Sequence, residues 1–231
     1  FKIDGQAEIK EPIGMYGGRL ESSFHVVVGQ AASIRNLGRC VKSAGLELSG
    51  LTLEPLASAD AVLSQEEKDG LLFMLEEEKL ARDTYVYMYN LWGITQFNNI
   101  KNSEQSHMDA IVTILEQNDI EYTILPQGQF LNENLQNFYD QFVINGQISS
   151  SNALQIGATI EDLDIVDLED YISNTTNSVV IAAYESLQCG SRNHLRSFVS
   201  SIENNGNTYT PQFLSVEEYN IILSGTHEQF N

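Results

Sequence analysis

From Ser64 onward the apolar residues recur every three or four positions, whereas before it they come in short runs broken by turn residues. Ser64-Gln65-Glu66-Glu67 reads as a capping box, in which the serine hydroxyl and Glu67 satisfy free amides of a first helical turn. Leu71, Leu75, Glu78, Arg82 and Tyr85 then share one face until Gly93. A second helix is predicted from about Asn98 to Asn118, with Ile100, His107, Ile111 and Ile114 on one stripe. Residues 119–149 hold Pro126, Gly128 and Gly146 and a short helical piece around Leu135 to Phe142. That stretch is long enough to cross from one end of a bundle to the other. A third helix covers roughly Ser150 to Tyr171, and a fourth runs from near Asn174 to about Glu203, closed by Asn204-Asn205-Gly206-Asn207. Pro211 and a short helical run over Val216 to Leu223 complete the pattern. Two helices, a long connection and two more helices predict two antiparallel pairs joined by one crossover.

Residues 1–60 differ. Gly5, Pro12, Gly14, the Gly17–Gly18 pair, Gly29, Gly45 and Gly50 punctuate β-prone runs, of which Phe24 to Val28 is the clearest. Leu46 to Leu53 alternates as a strand would. The segment reads as a non-helical arm or small sheet, and its glycines lack the spacing of a phosphate cradle. The expected organisation is therefore an arm over 1–60, a helical bundle over 61–225 and a tail over 226–231.

Candidate chemistry lies on the inward stripes. Glu78 shares its face with Leu71, Met74, Leu75, Ala81 and Tyr85. Glu104 and His107 stack over one another, Glu161 and Asp164 do the same on the third helix, and His194 faces with Leu187, Gly190, Ser191 and Phe198 on the fourth. A carboxylate inside a bundle is costly unless it is paired, hydrogen-bonded or bound to a metal. Four segments aiming ligands inward therefore predict a two-metal carboxylate site. Carboxylate and imidazole together suit iron first, and also manganese or zinc. Arg82, one turn past Glu78, can pair with an acid around the site, and Tyr85 can donate a hydrogen bond to a ligand. Glu76 and Glu77 are rotated away and read as solvated, as do Asp162, Asp167 and Asp170, whose run lacks the spacing and glycine of a calcium loop. Glu185 is half a turn off His194 and stays outside the ligand set. His25 and His227 are isolated and read as surface residues.

At these residues a resemblance becomes plain. Glu78-Lys-Leu-Ala-Arg-Asp-Thr-Tyr85 resembles the first-helix motif of rubrerythrin-type ferritin-like proteins. Glu104-Gln-Ser-His107 is similar to their second-helix Glu-x-x-His, Glu161-Asp-Leu-Asp164 to their third-helix Glu-x-x-Glu, and Ser191-Arg-Asn-His194 to their fourth-helix Glu-x-x-His. A fuller likeness over about Val62 to Ser224 is to an uncharacterised branch of this superfamily, a domain of unknown function; residues 1–60 lie outside it. The resemblance implies a mainly α, ferritin-like four-helix bundle. It also implies two ions held by Glu78, Glu104, His107, Glu161, Asp164 and His194, acting on O2 or peroxide. Ser191 stands where the family places a Glu, and Asp164 is a shorter acid than the family's. No Cys-x-x-Cys module is present to deliver electrons.

Composition narrows the alternatives. The net charge is −20, from 32 acidic against 12 basic side chains, which argues against a phosphate-backbone partner. No apolar run reaches the length of a membrane span. The first residue is Phe1, which reads as a processed start. With few lysines and many Asn, Gln and Ser, it points to a secreted, periplasmic or cell-surface protein. Cys40 and Cys189 leave a disulfide and two buried thiols equally open. Two functional classes follow. One is a diiron oxidoreductase or ferroxidase. The other is an extracellular structural or assembly protein whose metal site is a brace or relic, and whose arm pairs with a neighbouring subunit as a homo-oligomer.

Overall fold

In a computed structural model the protein is described over residues 2–3, 16–21, 31–47 and 63–230. The chain divides into two compact units, Phe1–Leu53 and Glu54–Asn231.

In the first unit β1 (Lys2–Ile3) pairs antiparallel with β2 (Leu20–Glu21), with Lys2 opposite Glu21 and Ile3 opposite Leu20. The same unit holds a helix, α1 (Ala31–Ser43), where a non-helical arm was expected. Ile34, Leu37 and Val41 already carry the helical spacing. Glycines on either side mask it, and Gly45 sits just beyond the C-terminus at φ 79°. The expected strands at Phe24 to Val28 and over most of Leu46 to Leu53, like His25, lie outside the described residues.

The second unit is helical throughout its described elements. Its helices are α2 (Gln65–Trp92), α3 (Thr95–Gln117), α4 (Glu133–Gly146), α5 (Ser150–Ser173), α6 (Ser178–Asn204) and α7 (Val216–Ser224). The Ser64–Glu67 capping box forms as its spacing predicts. Gly93 ends α2 at φ 66°, with its N–H on the Tyr89 carbonyl, a conformation that favours glycine. α6 starts later than its pattern suggests because Asn177, not Asn174, caps it through the N–H groups of Val179 and Val180.

The most extensive packing joins α2 to α3 and α5 to α6. The apolar core falls into two clusters. One holds Leu71, Met74, Met108, Ile111 and Leu187; the other holds Tyr85, Met88, Phe97, Leu154 and Phe198. Between them each long helix places a buried polar side chain toward the others: Glu78 on α2, Glu104 on α3, Glu161 on α5 and Ser191 on α6. Along α2 and α6 the chain passes the first cluster, that polar side chain, then the second; along α3 and α5 the order reverses. α3 and α5 therefore run the same way, as the 119–149 crossover requires.

Two outer segments are held down by acids. Glu76 accepts the backbone N–H groups of Leu131 and Asn132. Lys79, only 1% exposed, donates to Asp83 and to the carbonyls of Pro126 and Gln129, while Asp83 also accepts from Gly128 N. On α5, Asp162 accepts from Tyr209 Oη and from the backbone N–H groups of Gln212, Phe213 and Leu214. Glu76 and Asp162 are thus buried, not solvated as their helix faces suggested: the crossover and the tail cover those faces. Glu77 is buried as well, whereas Asp167 is half-buried and Asp170 exposed. Cys40 is an exposed free thiol and Cys189 a buried one. His227 and Glu185 are exposed. Among the described residues no helix is long and apolar enough to cross a membrane.

Candidate metal centre

The four long helices bring five of the expected ligands together. His107 Nδ1 lies 3.1 Å from Glu78 Oε2 and 2.9 Å from Glu104 Oε2. His194 Nδ1 lies 2.9 Å from Glu104 Oε1 and 3.3 Å from Glu161 Oε2. Two groups result, Glu78–Glu104–His107 and Glu104–Glu161–His194, each with one ligand atom per residue within 4.8 Å of the others. Each can hold a metal ion, and Glu104 belongs to both. The imidazoles stack with centroids 5.8 Å apart.

The donor set fits a cation because its inner atoms lack partners. Glu104 Oε1 and His194 Nδ1 face each other without hydrogen-bond geometry, and Glu78 Oε1 is also unpaired. Leaving buried acceptors unsatisfied costs about 1–3 kcal/mol each, more when charged. An ion in each group would relieve that penalty for the atoms facing it. Without an ion the protons redistribute. Burial, then Asp164, pushes Glu78 well above the usual carboxylate range, against the pull of His107. Burial also raises Glu161, opposed by His194. Glu104 is the exception: burial works against its charge, but His194 and His107 together hold it low. Burial disfavours both imidazolium ions, yet Glu78 and Glu104 lift His107, and Glu104 and Glu161 lift His194 to about 10. The result is a buried network of charged histidines and shared acids, poised to exchange protons for cations.

The remaining expected residues are placed as follows. Tyr85 donates to Glu161 Oε1 at 2.5 Å and to the Gly157 carbonyl at 3.2 Å, fixing that carboxylate. Asp164 is drawn to neither triad; Ser191 donates to its Oδ2, and its Oδ1 is buried without a partner. Arg82 pairs with Asp83 and Gln105, not with an acid of the centre, because Asp83 is adjacent and already fixed by the crossover. Lys79 and Asp83 were not singled out from the sequence; their i, i+4 spacing was the available signal.

These features define a helical protein with paired carboxylate–histidine groups that can hold metal. Residues 67–226 match the family model described as "Uncharacterized protein domain (DUF2202)", and the chain belongs to that family. It is 47% identical over 169 residues to the uncharacterized protein MJ0754 of Methanocaldococcus jannaschii, covering 72% of this chain and 91% of that one. The crystal structure of hypothetical protein MJ0754 from Methanococcus jannaschii matches with a TM-score of 0.71 and 46% identity, over 78% of this chain and 100% of that chain. Residues 1–28 match a model described as "SHS2 domain inserted in FTSA". Over 88 residues the chain is 37% identical to the cell division protein FtsA of Neisseria meningitidis, covering 38% of this chain and 21% of FtsA.

Proposed function

We propose that the helical unit is a ferritin-like four-helix bundle whose two triads bind two ions, and that it oxidises Fe(II) with O2 or peroxide. Manganese and zinc fit the same donors. The observation that carries this reading is Glu104. Its two oxygens each lie 2.9 Å from a different histidine, the disposition of a carboxylate shared by two cations. Glu78 and His107 complete one position; Glu161 and His194 complete the other. Two Fe(II) release one electron each, and with two protons these reduce O2 to hydrogen peroxide, or hydrogen peroxide to two waters. Tyr85 holds Glu161 in place, and the apolar clusters on either side keep bulk water from the ligands.

The test is metal analysis, followed by anaerobic Fe(II) loading and admission of air. Two ions per chain and a near-ultraviolet charge-transfer band are expected, and Glu104→Ala should lose both. Fe(II) oxidation no faster than in buffer, with no band, would end the proposal.

A second reading concerns the first unit, for which the likeness to FtsA is the favouring observation. α1 leaves Ile34 and Leu37 exposed three residues apart, an apolar strip suited to assembly, including pairing between copies of this chain. Deleting the first sixty residues and measuring particle mass tests it; an unchanged number of chains per particle removes the unit from assembly.

A further inference from the structure

A small cavity stands apart from the metal centre. It encloses about 160 Å³ where the start of α2 meets the turn from α5 into α6, and Glu66, Glu67, Asp170, Tyr171, Thr175 and Tyr184 line it. Tyr184 precedes His194 by ten residues, about 15 Å along α6. Among the described residues no Lys, Arg or His lines the cavity.

One wall holds a polar group with nothing to bond. Tyr184 is 1% exposed, and its hydroxyl is buried without a hydrogen-bond partner. That hydroxyl lies at the α2 wall: a Cβ on Gly70, one turn past Glu66 and Glu67, would sit 3.2 Å from it and 2.8 Å from Tyr171 Cε1. The bare glycine lets both rings close on α2, with their centroids 5.8 Å apart. Thr175 donates to Glu67 Oε1 and ties the turn to the same wall. Burial, then Tyr171 and Glu67, raises the Tyr184 pKa well above its ordinary value, so the hydroxyl stays neutral and its lone pairs can accept.

We infer that this cavity binds a primary ammonium group on a short apolar stem. Three carboxylates and two aromatic rings, unopposed by a basic side chain in the lining, favour a cation. An N–H donor supplies the partner that Tyr184 lacks. The exposed carboxylates of Glu66 and Asp170 stand at the mouth for the remaining N–H groups. The volume sets the size: pockets for drug-sized ligands run to about 300–1,000 Å³, so only a few heavy atoms fit here. Water is the simplest alternative occupant; it satisfies the hydroxyl but leaves the acids without a counter-charge. The site uses none of the metal ligands, so it goes beyond the paired-ion reading and stands or falls without it.

NMR of the full chain with ring-labelled tyrosine, titrated with ethylammonium chloride and with sodium chloride at equal ionic strength, tests the inference. The Tyr171 and Tyr184 signals of the wild type should shift saturably with ethylammonium, at a dissociation constant of about 1 mM or weaker, the ceiling for so few heavy atoms. Tyr184→Phe keeps the ring and removes the acceptor, and should weaken binding about 10-fold or more. Tetramethylammonium has no N–H, and the wild type should bind it weaker by a similar factor. A wild type that answers ethylammonium and sodium alike, as a cavity filled by water alone would, overturns the site. So does equal affinity for the two ammonium ions, or a Tyr184→Phe protein that binds ethylammonium as tightly as the wild type.

Discussion

Gly190 on α6 lies against the imidazole of His107 on α3, so closely that a Cβ at position 190 would sit 2.7 Å from both Cε1 and Nε2. The glycine is what lets the ring reach Glu78 and Glu104 with its Nδ1 while its outer edge rests on the neighbouring helix. Gly190→Ala should therefore displace His107. The expected result is a loss of about 1–3 kcal/mol in denaturant unfolding, with weakened metal binding at the Glu78–Glu104–His107 group. Affinity unchanged from wild type would show that the ring does not depend on this contact.

The two histidines serve different groups, so their removal should separate the two ions. His194→Ala is expected to lose the ion shared with Glu161 and to keep the one at Glu78 and His107; His107→Ala should do the reverse. Metal stoichiometry by mass spectrometry under native conditions reads this directly. Loss of both ions from each variant would mean that neither position fills alone.

The metal-free protein should become less stable as pH rises. His194 has a folded pKa of about 10 against about 6.5 unfolded, and Asp164 about 8 against about 3.9. Each binds more protons folded than unfolded between its two values, so stability falls through about pH 4–8 for Asp164 and about pH 6.5–10 for His194. Glu104 works oppositely: its low pKa contributes stability above about pH 4.5 that fades as pH falls. Thermal melts of chelator-treated protein from about pH 6 to about pH 9 should show a falling midpoint. Metal should flatten that slope, since bound ligands are already deprotonated. A midpoint that climbs with pH would contradict the buried protons.

Asp162→Ala removes the acceptor for three backbone N–H groups and for Tyr209. A loss of about 3 kcal/mol or more is expected, with protease cleavage appearing near residues 209–214. Because Asp162 faces the tail, metal stoichiometry should be unaffected.

Sequence periodicity was enough to find the long helices and the inward stations at Glu78, Glu104, His107, Glu161 and His194, because each sits in an apolar stripe facing three neighbours. It misjudged Glu76 and Asp162 for one reason. A helical face is judged solvated when it turns away from the other long helices, yet here the crossover and the tail lie on those faces. Nothing in the spacing of Glu76 announces that Leu131 and Asn132 will need its oxygens 55 and 56 residues later. Asp164 shows the opposite limit: its face was read correctly, but Ser191, on another helix, draws its carboxyl aside.

Glu104 is rooted in α3 and answers to a histidine of α6, while few other contacts join those two helices. An ion seated there would lock one hairpin to the other through bonds far stiffer than side-chain packing. Loading would then set how far the interior can open, and the cargo itself would become part of the scaffold.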